Sequence, residues 1–249
     1  MQRIDVGHKL NIHGYKIILT FLFVTAFTGA AYAQNEVQMY GKYAGSKNLP
    51  YYDDKIFHFG FTIGLNTTRL VPKLSNQYFS NDTISSVQSQ NNPGFSLGFI
   101  VNYRLADYWD LRLLPTVAFY ERDVTYTTKY TGSIVQANES AFIELPLMLK
   151  YKSQRRKNSR MYMVGGVKPG IETGAKKKDK PNSDLRLNNI DFAVDYGVGL
   201  DIYYPLFKFS PEIRISHGFA NMLINDPNAY AQSLLKLTTH TVTLYLHFE

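Results

Sequence analysis

Asp191, Asp195 and Asp201 fall in one short stretch. Acids so grouped could bind a divalent cation, or supply the acid and base of a hydrolysis. Downstream of residue 33 the histidines are His58, His217, His240 and His247, and an imidazole titrates where a general base is useful. Neither set carries further marks of catalysis. The three acids stand at different heights along one segment, with basic residues available to neutralise them. The histidines are scattered singly and read as lumen or interface residues. Nucleophile elbow, phosphate-cradling glycine loop and metal-ligand spacing are all missing from the sequence. The absence of cysteine removes disulfides and thiolate metal sites. The residues point away from an enzyme, and no catalytic, cofactor or metal residue is assigned.

The segment that carries the acids alternates without a fault. From Ile190 to Ile202 the apolar Ile190, Phe192, Val194, Tyr196, Val198, Leu200 and Ile202 face one way. Asp191, Ala193, Asp195, Gly197, Gly199 and Asp201 face the other, which is the period of a strand. A soluble sheet would turn the apolar side inward, whereas a membrane barrel turns it to lipid and encloses the acids. Soluble strands usually run to about 5 or 6 residues, and a tilted membrane strand needs about 9 to 11. The length favours the membrane.

Lys16 to Ala33 has a cationic start, an uncharged apolar core and small residues at Ala31 and Ala33. It reads as a signal peptide over 1–33, cut between Ala33 and Gln34; a retained N-terminal helix is the competing reading. The formal net charge of +7 falls once the leader is removed, and so modest an excess does not indicate nucleic acid. Beyond the leader no apolar run approaches the roughly 18 residues of a spanning helix, so a membrane protein of this sequence must be a barrel. The 19 Tyr and 16 Phe suit aromatic girdles.

Residues 34–55 read as a periplasmic lead-in, and 56–249 as the barrel. Eight strands are expected, at Ile56–Asn66, Gly94–Arg104, Asp110–Arg122, Ser140–Lys152, Arg160–Glu172, Ile190–Ile202, Phe207–His217 and Thr239–Glu249. Pro115 marks a bulge. Polar loops are expected at Thr67–Pro93, Asp123–Glu139, Thr173–Asn189 and Gly218–Thr238, alternating with short turns. Long loops on one rim and tight turns on the other give this rhythm. The fold class is therefore all-β, an eight-stranded antiparallel up-and-down barrel in the outer membrane, with its termini on the periplasmic side.

Charged strand residues sort to the non-aromatic face. Arg104, Arg112, Glu144, Lys150, Asp191, Asp195, Asp201, Glu212 and Arg214 are expected to pair across the lumen and close it, since eight strands enclose just enough room for side chains. Lys208 shares that face. Lys176, Lys177, Lys178 and Lys180, in an external loop, are candidate contacts for lipopolysaccharide phosphates or an acidic partner, set against a merely solvated loop. Arg155, Arg156 and Lys157, in a periplasmic turn, are candidate partner contacts with the same alternative.

Ser140–Glu172, SAFIELPLMLKYKSQRRKNSRMYMVGGVKPGIE, resembles the PorT family of outer-membrane barrels. The likeness is an E-L-P-L-x-L-K-Y strand, a basic turn and a glycine-containing strand ending near a lysine. Related small barrels of Bacteroidota share part of the motif. The resemblance implies an accessory or assembly role in type IX secretion, which in some species supports gliding motility, with outer-membrane lipid and other secretion proteins as partners. It offers no catalytic residues. The alternative is a generic small barrel whose external loops adhere or tether, and a lipid-modifying barrel enzyme ranks last.

Overall fold

The computed structural model describes residues 47–75, 84–128, 132–173, 187–224 and 232–249. The signal-peptide reading and most of the lead-in lie outside them. The strands are β1 Phe57–Leu74, β2 Ile84–Gln88, β3 Asn92–Arg104, β4 Trp109–Leu113, β5 Thr116–Thr128, β6 Gly132–Glu144, β7 Leu147–Lys152, β8 Ser159–Thr173, β9 Ile190–Tyr203, β10 Lys208–Gly218 and β11 Leu234–Phe248.

All pairings are antiparallel; each ring strand bonds to the next, β1 to β3, β3 to β5, β5 to β6, β6 to β8, β8 to β9, β9 to β10 and β10 to β11, and β11 bonds back to β1, so the sheet closes on itself. Two ring strands are broken by proline. Pro115 separates β4 from β5 and Pro146 separates β6 from β7, because neither ring nitrogen can donate to the ladder. Each proline still accepts: Phe99 N donates to Pro115 O and Leu114 N to Pro146 O, both at 3.0 Å. Counting each broken pair once, the ring has the eight expected strands, with β2 an addition that pairs with β5.

The strands are longer than expected at one rim. β1 continues to Leu74, β11 begins at Leu234, and β5 and β6 run on as a hairpin through most of Asp123–Glu139. Residues 123–128 and 132–139 are strand rather than polar loop, and so are parts of Thr67–Pro93 and Gly218–Thr238.

Within the membrane section the apolar side chains face out. Phe59 is 68% exposed and Phe99 69%, while Arg112, Lys150 and Asp201 inside are 0%. Phe57 and Tyr103, Trp109 and Tyr151, and Tyr204 and Phe207 pack as ring pairs at the short-turn rim. That is an interfacial aromatic girdle, and the rim of tight turns faces the periplasm in such barrels.

Beyond the membrane the polarity inverts. On β1 the inward residues change from Thr62, Asn66 and Thr68 to Leu70, while the outward ones change from Phe61 and Leu65 to Arg69 and Lys73. Val124 and Tyr126 of β5 and Leu234 and Leu237 of β11 join Leu70 in a dry cluster, flanked by Leu74, Val87, Leu187 and Leu223. The extracellular extension is thus built like a soluble protein on top of an inside-out one.

Depth-dependent substitution checks this boundary. Phe61→Arg, mid-band and outward, is expected to lower unfolding free energy in lipid vesicles by about 2–4 kcal/mol. Val71→Arg, outward but above the band, should change it by under about 0.5 kcal/mol.

Candidate functional site

The lumen holds the densest chemistry of the molecule, in three tiers. Nearest the short-turn rim, Asp201 of β9 accepts from three other strands. Lys150 Nζ donates to both its oxygens at 2.9 Å, Arg160 Nε to Oδ2 at 2.8 Å and Ser210 Oγ to Oδ1 at 2.7 Å. Arg112 and Lys208 both reach the Glu249 side chain at 2.9 Å, and Lys152 pairs with Asp110 at 2.6 Å.

In the middle tier Glu212 is the hub. Arg214 donates to it at 2.5 Å, the Tyr162 hydroxyl at 2.9 Å and His247 Nε2 lies at 3.3 Å. Arg112, on the opposite wall, approaches it at 3.6 Å, and Arg214 stands 3.8 Å from Asp195. Tyr162 can lean over β9 to reach Glu212 on β10 because β9 has glycine at 199, where a Cβ would lie 2.4 Å from its ring.

In the upper tier Glu144 accepts from the Tyr120 hydroxyl at 2.7 Å and pairs with Lys168 at 3.3 Å. The Arg122 guanidinium lies over the rings of Tyr120 and Phe142, at 4.6 and 4.7 Å, and reaches Asp191 at 3.7 Å. Met222, fully buried, packs on Ala118, Tyr120 and Phe142 just above.

Of the sequence-derived set, Arg112, Glu144, Lys150, Asp191, Asp195, Asp201, Glu212 and Arg214 meet in these tiers. Arg104 does not. It sits at the rim, 28% exposed at its side chain, on Asp107 and the carbonyl of Asp53. Arg122, Arg160, Lys168, Asp110 and Lys152 complete the tiers without having been singled out, and His247, read as a lumen or interface residue, lies among them. Arg160 and Lys168 lie on the period-two face of β8, a signal that the surrounding glycines blurred. The histidines are not all solitary, because the rings of His217 and His240 lie 4.6 Å apart on the outer wall.

The short-turn rim is closed by the end of the lead-in, which carried no motif. Asp53 pairs with Arg160 at 2.8 Å and Arg155 at 3.6 Å, and the Tyr52 hydroxyl donates to Glu249 at 2.9 Å. Tyr52 also stacks on His58 at 4.1 Å. Arg155 serves this closure, lying 3.6 Å over the Tyr203 ring, while Arg156 and Lys157 are exposed. Burial opposes ionisation of Asp53, but Arg160 first, then Lys152 and Arg155, hold its carboxyl below its ordinary range. Lys176, Lys177, Lys178 and Lys180 lie outside the described residues.

A closed cylinder with a greasy wall, a girdle and a charge-filled interior defines a small outer-membrane barrel. Residues 32–223 match the family described as outer membrane protein beta-barrel domain, and the chain belongs to that family. The protein therefore resides in the outer membrane. The match does not extend to PorT. Among solved structures the chain is similar to OprG from Pseudomonas aeruginosa, at 15% identity over 82% of this chain and 96% of that one, with a TM-score of 0.46. It is similar to Ail, the attachment invasion locus protein of Yersinia pestis, solved with the heparin analogue sucrose octasulfate. That likeness has 14% identity over 78% of this chain and 99% of that one, with a TM-score of 0.39. Neisserial surface protein A shows 9% identity, 78% and 98% coverage and a TM-score of 0.39. No curated protein matches the sequence.

Asp201→Ala strands Lys150 and Arg160 in a dry interior, and is expected to cost about 3–5 kcal/mol in urea unfolding from vesicles. Asp53 gives a pH dependence with a definite sign. Its carboxyl is depressed, so its contribution is present above about pH 4 and lost as pH falls through the lowered value. The wild type should lose part of its thermal stability on acidification in that range, and Asp53→Asn, already lacking it, should lose less.

Proposed function

We propose that the chain is a non-enzymatic surface platform, a closed barrel whose extracellular extension engages a partner outside the cell in an adhesive or tethering role. The observation that carries this reading is the dry cluster of Leu70, Val124, Tyr126, Leu234 and Leu237. A merely floppy set of loops has no need of a core above the membrane, whereas a binding face is sharpened by a rigid base. The filled lumen supports the same reading, since the three charge tiers leave the surfaces as the working parts.

Two measurements test it. In planar bilayers the protein is expected to show no steady single-channel conductance; a stable open pore would refute the closed lumen. Replacing residues 125–135 with an Asn-Gly turn shortens the β5–β6 hairpin but keeps its twist. Cells displaying this variant should lose the surface retention that wild type confers, with the barrel still folded by heat-modifiable gel mobility. Undiminished retention would discard the reading.

A second reading has its own observation. The PorT-like segment Ser140–Glu172 supplies β7, β8 and the turn that exposes Arg156 and Lys157 at the periplasmic rim. An accessory component of type IX secretion would meet its partners there. In this case deletion of the gene should impair export of type IX cargo, and R156E/K157E should impair it several-fold. Normal export in both strains leaves the surface platform standing alone.

A further inference from the structure

The outer wall is not uniform in charge where it leaves the membrane. On β1 the outward series is apolar from Phe57 to Leu65, and its first charged members are Arg69 and Lys73. β11 repeats the order from its other end, with Leu246, Leu244 and Val242 followed by His240 and Lys236. On β10 Ile213 and Ile215 precede His217. The register sets these groups side by side: Arg69 opposite His240, His240 opposite His217, and Lys73 opposite Lys236. The Tyr196 hydroxyl braces His217 at 2.9 Å. Three fixed cations and two imidazoles thus form one patch across three adjacent strands.

Among the described residues this patch lacks a counter-charge. β1 and β11 contain no Asp or Glu. The acids of β9 and β10 point inward, where Asp201, Asp195, Asp191 and Glu212 are held by the lumen cations. Lys236 Nζ donates to the Phe219 carbonyl at 3.1 Å, while Arg69 and Lys73 are exposed and meet no carboxylate among the described residues. The other side of the barrel carries the opposite sign, with Glu121 facing Glu139 across β5 and β6.

Height identifies the ligand. Arg69 stands four positions past Leu65, about 10 Å further out for a strand rising about 3.3 Å per residue at about 40° tilt. That is where acyl chains end and headgroups begin, and cations placed there attract anionic headgroups. We propose that Arg69, Lys73 and Lys236, with His217 and His240 between them, bind the phosphate groups of a glycolipid headgroup in the outer leaflet. The site is on strands, unlike the lysine run 176–180. It fixes which flank of the barrel gathers phosphorylated lipid and leaves the acidic flank of β5 and β6 to other neighbours.

The purified protein in detergent is titrated with diphosphorylated lipid A and with the same lipid after phosphatase treatment, and binding is read by native mass spectrometry. Wild type should prefer the phosphorylated form. R69Q/K73Q/K236Q should bind it about 100-fold more weakly, roughly fivefold for each cation removed. E121Q/E139Q and K176Q/K177Q/K178Q/K180Q should bind as wild type. Gel mobility reports folding; should the triple variant not fold, R69Q and K73Q singly carry the test, each with roughly fivefold loss. Wild-type affinity in the folded cation variants, equal binding of dephosphorylated lipid, or loss on neutralising the 176–180 run would each overturn the proposal.

Discussion

Hydrocarbon offers a peptide group no hydrogen-bond partner, and the structure follows from that constraint. Every backbone donor and acceptor in the band must be satisfied by the chain itself, and a sheet can do this only by closing. Closure here is the bonding of β11 back to β1 at the end of an unbroken round of pairings that includes β8 with β9. With edges removed, the side chains divide by solvent: Phe59, Phe61, Phe99 and Leu65 go to lipid, and the charges of the membrane section go to the only place left. The aqueous section obeys the opposite rule a few residues further along the same strands, so one chain carries both polarities end to end.

A charged core is an uncertain source of stability, because desolvation of each ion offsets much of the attraction it gains. What it does supply is correlation. Asp201 ties β7, β8 and β10 to β9, and Glu212 ties β8, β10 and β11 together with Arg112 from the far wall. A register slip by one residue in any of these strands would turn its charges into lipid. The network therefore makes the correct closure the cheapest one and fills the lumen in the same act. Tyr52 and Asp53 extend it past the rim, and Met222 with its aromatic neighbours ends it at the other side.

Strands inside the membrane were legible because one rule holds along them: β9 alternates from Ile190 to Ile202, and β8 does so beneath its glycines. The extension was not legible, for a physical reason. Where the polarity swaps, Val124 and Tyr126 occupy the face that Tyr120 and Arg122 held a few residues earlier, and the period-two pattern loses its phase of polarity. Asp123–Glu139 then reads as a polar loop although residues 123–128 and 132–139 are strand. The lumen charges on clean strands could be placed, and Arg104 could not, since a face assignment says nothing of whether a residue lies at the rim. Asp53 left no trace at all, because an irregular segment has no periodicity to carry information. The surface patch shows the same limit: Arg69, His217 and His240 are far apart in sequence, and only the register of β1, β11 and β10 brings them together.

With no native cysteine, single cysteines along β1 can be spin-labelled cleanly. Collision with oxygen reports lipid and collision with a water-soluble nickel chelate reports solvent. Labels at Phe61 and Leu65 are expected to meet oxygen, those at Arg69 and Lys73 to meet nickel, and those at Asn66, Thr68 and Leu70 to meet neither. Nickel access to Asn66 and Thr68 together with shielding of Phe61 and Leu65 from oxygen would contradict the inside-out barrel on which everything above depends.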